Sequence, residues 1–243
     1  MSTQKIPRAL TILSAMVAAI TSAGAYAADQ SSNFYGSIHV GPAFVEDMNF
    51  SESTTADLSL NPKTGWAVGG ALGYRFYDTF RVEFDLTYSS NELSGTFQQN
   101  VQAFVPCGEF AGNPCLDSST DGDIDSLAGF ATVYYDFPAV GQIRPYAGIG
   151  VGFVDIDLEV GTRATLNDGP VSRFAIINGS DTVLGYRGSL GLTYPIGPAD
   201  LNLGYTYTFT DRLNLAGQGT LVSFDFDRKM NRHAVTAGLT YRF

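Results

Sequence analysis

The chain has 243 residues, with 14 Lys and Arg against 24 Asp and Glu for a formal charge of −10, and it carries 27 Gly, 13 Tyr and 17 Phe. Such an acidic balance excludes nucleic acid as a partner, because phosphate backbones are bound by clustered Lys and Arg. Abundant turn and strand formers, without Leu-Ala-Glu-Lys helix blocks, point to one all-β domain.

The first predicted element is not part of the fold. Lys5 and Arg8 precede an apolar stretch from Ala9 to Ile20, and small residues then lead to Ala25-Tyr26-Ala27. A basic n-region, a short apolar h-region and an A-x-A site make residues 1–27 a secretory signal peptide, cleaved after Ala27. The run is too short to span a bilayer as a helix, which needs about 20 residues, and no later stretch is long enough. Removing Lys5 and Arg8 leaves 12 basic against 24 acidic residues, so the exported chain, 28–243, carries −12.

Period-two alternation then predicts eight strands, near 34–47, 64–77, 80–93, 124–137, 143–158, 182–194, 201–213 and 232–243. In the second, Trp66, Val68, Leu72, Tyr74 and Phe76 oppose Ala67, Gly69, Ala71, Gly73 and Arg75. In the third, Phe80, Val82, Phe84, Leu86 and Tyr88 form an apolar face opposite Arg81, Glu83, Asp85 and Thr87. Leu201 to Phe209 repeats the pattern, and Val235, Ala237, Leu239, Tyr241 and Phe243 oppose Ala234, Thr236, Gly238, Thr240 and Arg242. Connections alternate between tight turns, at 77–80, 138–142 and 195–200, and long polar loops at 48–63, 94–123, 159–181 and 214–231. Both termini fall on the turn side, so all four long loops emerge at the other end.

A soluble sandwich would alternate too. What distinguishes a membrane barrel is that the less apolar face is Gly, Thr, Tyr and charges of both signs, suited to the tight polar interior of a small barrel. Aromatics also gather near strand ends, with Tyr74, Phe76, Phe80, Tyr135, Phe137, Tyr194 and Tyr241 toward the turns and Phe44, Trp66, Tyr88, Phe153 and Phe209 toward the loops. Belts of this kind sit at membrane interfaces. On this register Arg75, Arg81, Glu83, Asp85, Asp136, Arg144, Arg187 and Arg242 face inward, with Tyr146 and Glu83 placed to hydrogen-bond among them. They form a salt-bridged plug, the competing reading being a gated solute path; eight strands leave room only for side chains. The inward Gly148, Gly150 and Gly152 of "GIGVG" make space for Tyr and Arg from neighbouring strands. They lack the spacing and following helix of a dinucleotide loop.

Cys107 and Cys115 sit in the longest loop and read, in an exported chain, as a disulfide closing about nine residues. Asp117, Asp121, Asp123 and Asp125 follow as a solvated acidic loop; Ca²⁺ bridging to lipopolysaccharide is the alternative, without the Gly and Glu placement of an EF-hand. Catalysis would need a base beside a nucleophile. Only His39, inward, and His233, at the loop end of the last strand, are available, and neither forms a His-x-Ser pair. The expectation is therefore no enzyme, no cofactor and no metal.

Thr236-x-Gly238-x-x-Tyr241-x-Phe243 resembles the C-terminal assembly signal of bacterial outer-membrane barrels. The whole exported chain is similar in pattern to the small eight-stranded group: the OmpA transmembrane domain, OmpX, and the opacity and attachment-invasion proteins. That resemblance implies an antiparallel up-and-down transmembrane β-barrel in the outer membrane, with short periplasmic turns and four long extracellular loops. It implies as partners the surrounding lipid and lipopolysaccharide, the barrel assembly machinery with periplasmic chaperones, and a host or environmental ligand at the loops. The chain stops at the barrel, so no OmpA-type peptidoglycan-binding domain is expected after it, and a closed barrel without free edges is expected to be a monomer. The function expected is a surface protein serving envelope integrity or recognition. A narrow channel of the OmpW kind for small or apolar solutes is the alternative, followed by a lipid-modifying barrel enzyme.

Overall fold

The computed structural model describes residues 33–46, 48–52, 56–77, 79–99, 116–166, 172–218 and 223–243. The signal peptide, its Ala27 site, and Cys107 and Cys115 lie outside the described residues. Among the described residues there are twelve strands: β1 (Phe34–Val45), β2 (Met48–Glu52), β3 (Ala56–Pro62), β4 (Gly65–Phe76), β5 (Phe80–Gln99), β6 (Leu116–Asp136), β7 (Arg144–Leu166), β8 (Ser172–Ile196), β9 (Ala199–Thr210), β10 (Leu213–Gln218), β11 (Ser223–Arg228) and β12 (Asn231–Arg242).

Eight of them close a barrel. All pairings are antiparallel and run β5, β4, β1, β12, β9, β8, β7, β6, and β6 returns to β5 through Phe80↔Tyr135 to Gly95↔Thr120. Closure leaves no backbone edge in the spanning region, which a bilayer requires because its core offers no water to unpaired amides. Short turns need left-handed backbone at few places. Gly141 (φ 65°) and Gly197 (φ 64°) occupy the first central position of two-residue turns, where only glycine is unstrained, and Tyr77 (φ 54°) takes the same region between β4 and β5.

Side-chain alternation is what makes the strands amphipathic. On β5 the apolar residues Phe80 to Leu86 point outward while Arg81, Glu83, Asp85, Thr87 and Ser89 are buried inside. From Phe80 to Tyr88 the outward face runs about 27 Å along the strand, or about 20 Å of height at a tilt of about 40°, which suits a hydrocarbon band. Outward rings pair at the turn-side margin, with centroids 4.8 Å apart for Phe34 and Tyr74, 5.2 Å for Phe80 and Tyr135, and 4.9 Å for Tyr135 and Phe137. At the loop-side margin Trp66 and Tyr88 lie 5.4 Å apart.

Above that margin the alternation inverts. On β7, Ile149, Val151 and Phe153 face outward, but the next apolar residues, Val154, Ile156, Leu158 and Val160, are buried inside, and Asp155, Asp157 and Glu159 take the outer face. The inward Val45, Leu93, Ile124, Val183, Leu213 and Met230 join them in one apolar cluster at the loop end of the barrel. The physical reason is the change of solvent. In lipid the apolar face is the outer one, and in water it must turn in.

The four predicted long connections lie at this end, and they contain strand of their own. Residues 48–63 are mostly the β2–β3 hairpin, β5 continues to Gln99 and β6 begins at Leu116, β7 and β8 continue through much of 159–181, and β10 pairs with β11 from Leu213↔Arg228 to Gln218↔Ser223. Asp117 to Asp125, read as a loop, is strand β6. Because β3 continues along β5 above β4 (Ala56↔Gln99 to Pro62↔Leu93), the strands β2, β3, β5, β6, β7 and β8 extend past the span as one sheet. Buried polar groups seal the breaks between span and extension. Asn91 Nδ2 donates to Ala43 O (2.9 Å) and Lys63 O (3.0 Å), and the Met230 N–H donates to Thr210 Oγ1 (3.0 Å).

Candidate functional site

The most developed chemistry lies inside the barrel, beneath the apolar cluster. Arg81 is its hub. Its guanidinium donates through Nη1 to Glu83 Oε1 (2.6 Å) and through Nε to Asp136 Oδ1 (3.2 Å), between the rings of Tyr134 (4.4 Å) and Tyr146 (4.7 Å). Tyr35 Oη donates to the same Glu83 oxygen (2.7 Å), and Arg75 Nη2 stands 3.8 Å from Asp136 Oδ2. The tyrosines fit because facing positions are glycine. A Cβ on Gly73 would overlap the Tyr35 ring, and one on Gly148 the Tyr134 ring.

A second group lies toward the loops. Arg187 Nη1 donates to Asp85 Oδ1 (2.6 Å), with its guanidinium 4.0 Å over the Phe130 ring. Thr87 Oγ1 also donates to Asp85 Oδ1 (2.8 Å), while His39 Nε2 lies 3.1 Å from Thr87 Oγ1 and 3.6 Å from Asp85 Oδ2. Arg232 crosses the lumen from β12 to the hydroxyls of Ser89 on β5 and Ser126 on β6.

Of the eight inward residues predicted, Arg75, Arg81, Glu83 and Asp136 are brought together in one group and Asp85 with Arg187 in another. Two are not part of either. Arg242 pairs with Asp200 at the turn end, its side chain half-exposed, and Arg144, also half-buried near the turns, makes no ion pair among the described residues. Both sit at the turn end of the barrel, Arg144 next to the turn that precedes β7 and Arg242 beside the 197–198 turn, where side chains reach water. Tyr146 contributes its ring face to Arg81 rather than the expected hydroxyl. The sequence reading missed Tyr35 and Arg232, although both have inward parity.

The outer wall carries two further features. His233 lies at the loop-side rim, with Nε2 2.9 Å from Glu46 Oε1 and Nδ1 2.6 Å from Tyr205 Oη, and Asn231 Nδ2 donates to Glu46 Oε2 (2.8 Å). Hydrogen bonds from Asn231 and then His233 hold the Glu46 carboxyl below the usual carboxylate range. Above the rim, Asp125 stands opposite Asp157 and Asp123 opposite Glu159, all on the outer face of β6 and β7. Among the described residues no group of His, Cys, Asp and Glu is arranged to hold a metal ion. In the last strand Thr236 and Gly238 face the lumen, whereas Tyr241 and Phe243 lie on the outer wall with ring centroids 5.9 Å apart.

Comparison with known proteins gives a consistent set of relatives. The family model for the outer membrane protein beta-barrel domain matches residues 13–243. An uncharacterized protein of Brucella abortus (strain 2308) is 32% identical over 206 residues, 77% of this chain and 71% of that protein. One of Brucella suis biovar 1 (strain 1330) matches to the same extent. Among solved structures, Neisserial surface protein A is similar over 87% of this chain and 98% of its own, with 18% identity and a TM-score of 0.48. The outer membrane protein OprG from Pseudomonas aeruginosa covers 87% and 97%, with 15% identity and a TM-score of 0.48.

Proposed function

Because the chain belongs to the outer membrane protein β-barrel domain family, we propose that it is a surface-display protein: an occluded barrel that carries a rigid, acidic β-sheet beyond the outer leaflet for recognition. One observation carries this reading. The strands do not end at the loop-side aromatic margin; they continue with reversed amphipathicity around an apolar core of their own. Floppy loops would need no such core. A sheet ordered in advance loses less conformational entropy when a partner docks.

The outer face of that extension sets the chemistry of the partner. Asp125 opposite Asp157 and Asp123 opposite Glu159 make this face acidic, which favours a partner of opposite charge. A basic protein or peptide segment fits; a polyanion does not. Lipid surrounds the apolar band, lipopolysaccharide meets the loop-side margin, and the last strand carries the signal read by the barrel assembly machinery. The Glu46–His233–Tyr205 chain serves as a clamp joining β1, β12 and β9 at the rim, with no catalytic role assigned to it.

A narrow channel is the second reading, favoured by a cavity of about 80 Å³ inside the barrel, lined from all eight of its strands. The test pairs two assays in a strain lacking the gene. It is complemented with the intact protein or with a variant whose hairpins are cut back to short turns at the rim, both checked for folding by heat-modifiable migration. Display predicts that only the intact protein restores binding of cationic partners or host surfaces, and that neither purified barrel conducts in a planar bilayer. Full rescue by the trimmed barrel, or a steady conductance from it, overturns the proposal in favour of the membrane-embedded part.

A further inference from the structure

Charge inside the occluded interior does not balance. Arg75, partly exposed toward the turns, and Arg81 match Glu83 and Asp136, but in the loop-side group two buried guanidinium groups, those of Arg187 and Arg232, are accompanied by one carboxylate, that of Asp85. Each carboxylate is already engaged by Arg75, Arg81 or Arg187. Arg232, 4% exposed, makes no ion pair among the described residues; it bonds to the hydroxyls of Ser89 and Ser126, which themselves share a hydrogen bond of 2.8 Å. Hydroxyls satisfy N–H groups but supply no charge. A guanidinium cannot shed its proton to escape burial, as a lysine or histidine can, and an uncompensated buried charge is strongly destabilising.

Two more donors are left over close by. Arg187 Nε and Ser189 Oγ are buried and have no hydrogen-bond partner among the described residues. Arg187, Ser189 and Arg232 all line the cavity of about 80 Å³, together with the hydroxyl-bearing Thr206 and Thr236. One water needs about 10–15 Å³ of such space, so the cavity admits a small ion with a few waters and excludes a nucleotide or sugar phosphate. Water would accept from the free donors, yet it would leave the excess positive charge in place.

We propose that this cavity is a buried anion site, taking one halide-sized monovalent anion between Arg232, Arg187 and Ser189 as the counter-ion that completes the interior plug. The natural occupant is chloride. Its role is structural, so it stabilises the folded barrel in proportion to its occupancy.

The test uses the full exported chain refolded in lipid vesicles with sodium chloride, sodium bromide or sodium gluconate at one ionic strength. Above the Kd, each tenfold rise in chloride or bromide should lower the unfolding equilibrium constant tenfold, and gluconate, too large for the cavity, should have no such effect. Crystals grown in bromide should show one anomalous peak within hydrogen-bonding distance of Arg187 and Arg232. Arg232→Met should abolish the halide dependence while still migrating as a folded barrel. Should that variant not fold, Ser189→Ala, which keeps both arginines, should weaken halide binding several-fold. Equal stability in halide and gluconate, with water alone in the cavity of the bromide crystals, would overturn the site.

Discussion

Arg81→Met is the substitution that most sharply separates a plugged barrel from a solvated one. Arg81 is 6% exposed, holds Glu83 and Asp136, and is stacked between Tyr134 and Tyr146. Its removal leaves Glu83 with the Tyr35 hydroxyl alone, while Asp136 retains Arg75 at 3.8 Å. Breaking a buried pair from one side costs about 3–5 kcal/mol, and the lost ring contacts add about 0.5–2 kcal/mol where the cation is desolvated. The total, about 3.5–7 kcal/mol, is roughly two and a half to five powers of ten in the unfolding equilibrium. Urea titration in lipid vesicles measures it directly, with the single Trp66 on the outer wall as the fluorophore. The double variant Arg81→Met/Glu83→Gln removes the stranded charge as well and should recover more than half of the loss. A cost below about 1 kcal/mol for Arg81→Met, the size of a solvated surface pair, would refute the plug and support a water-filled path.

The remaining predictions address packing, the distal core and the rim. Gly73→Ala should displace Tyr35 from Glu83 and cost about 1–3 kcal/mol by overpacking, seen as a lowered urea midpoint. Ile156→Ala, fully buried above the membrane margin, should cost about 2–5 kcal/mol, whereas the outward-facing neighbour Glu159→Ala should stay within about 0.5 kcal/mol in the same assay. Glu46 titrates below its usual value, so its rim contacts stabilise the fold at pH values above the ordinary carboxylate range and are lost as pH falls through the lowered value. A carboxyl NMR titration should show this, and Asn231→Ala should return the midpoint toward the ordinary Glu value.

Much of the span was legible in the sequence, because lipid imposes one rule on every strand. The opposition of Phe80, Val82, Phe84 and Leu86 to Arg81, Glu83 and Asp85 survives unchanged in the barrel, as does the inward set of Gly148, Gly150 and Gly152. The extension was not legible for the same reason. Between Phe153 and Val154 the apolar residues change parity, and the predicted strand 143–158 outlasts that change only as far as Leu158, shortly before the apolar alternation gives way to polar residues. In β6, Asp121, Asp123 and Asp125 looked like loop because polar residues on the outer face are what a soluble surface requires. Inward Ile124 already opened the predicted strand, and the residues before it offer no apolar alternation to carry the strand further. Arg232 was overlooked because it sits at the first residues of β12, beside a rim histidine, although it shares inward parity with Ala234 and Thr236. Arg144 and Arg242 have the right parity and the wrong height, which alternation does not encode.

The central claim is that the strands remain one ordered sheet well past the membrane margin. Amide hydrogen exchange in lipid nanodiscs tests it most directly, comparing residues 154–160 of β7 and 121–127 of β6 with residues 146–152 and 129–135 of the same strands. The account predicts protection that continues without a break across Phe153 and Leu127 into the extension. Exchange of the distal amides at the rate of unstructured loops, beginning at that margin, would contradict it.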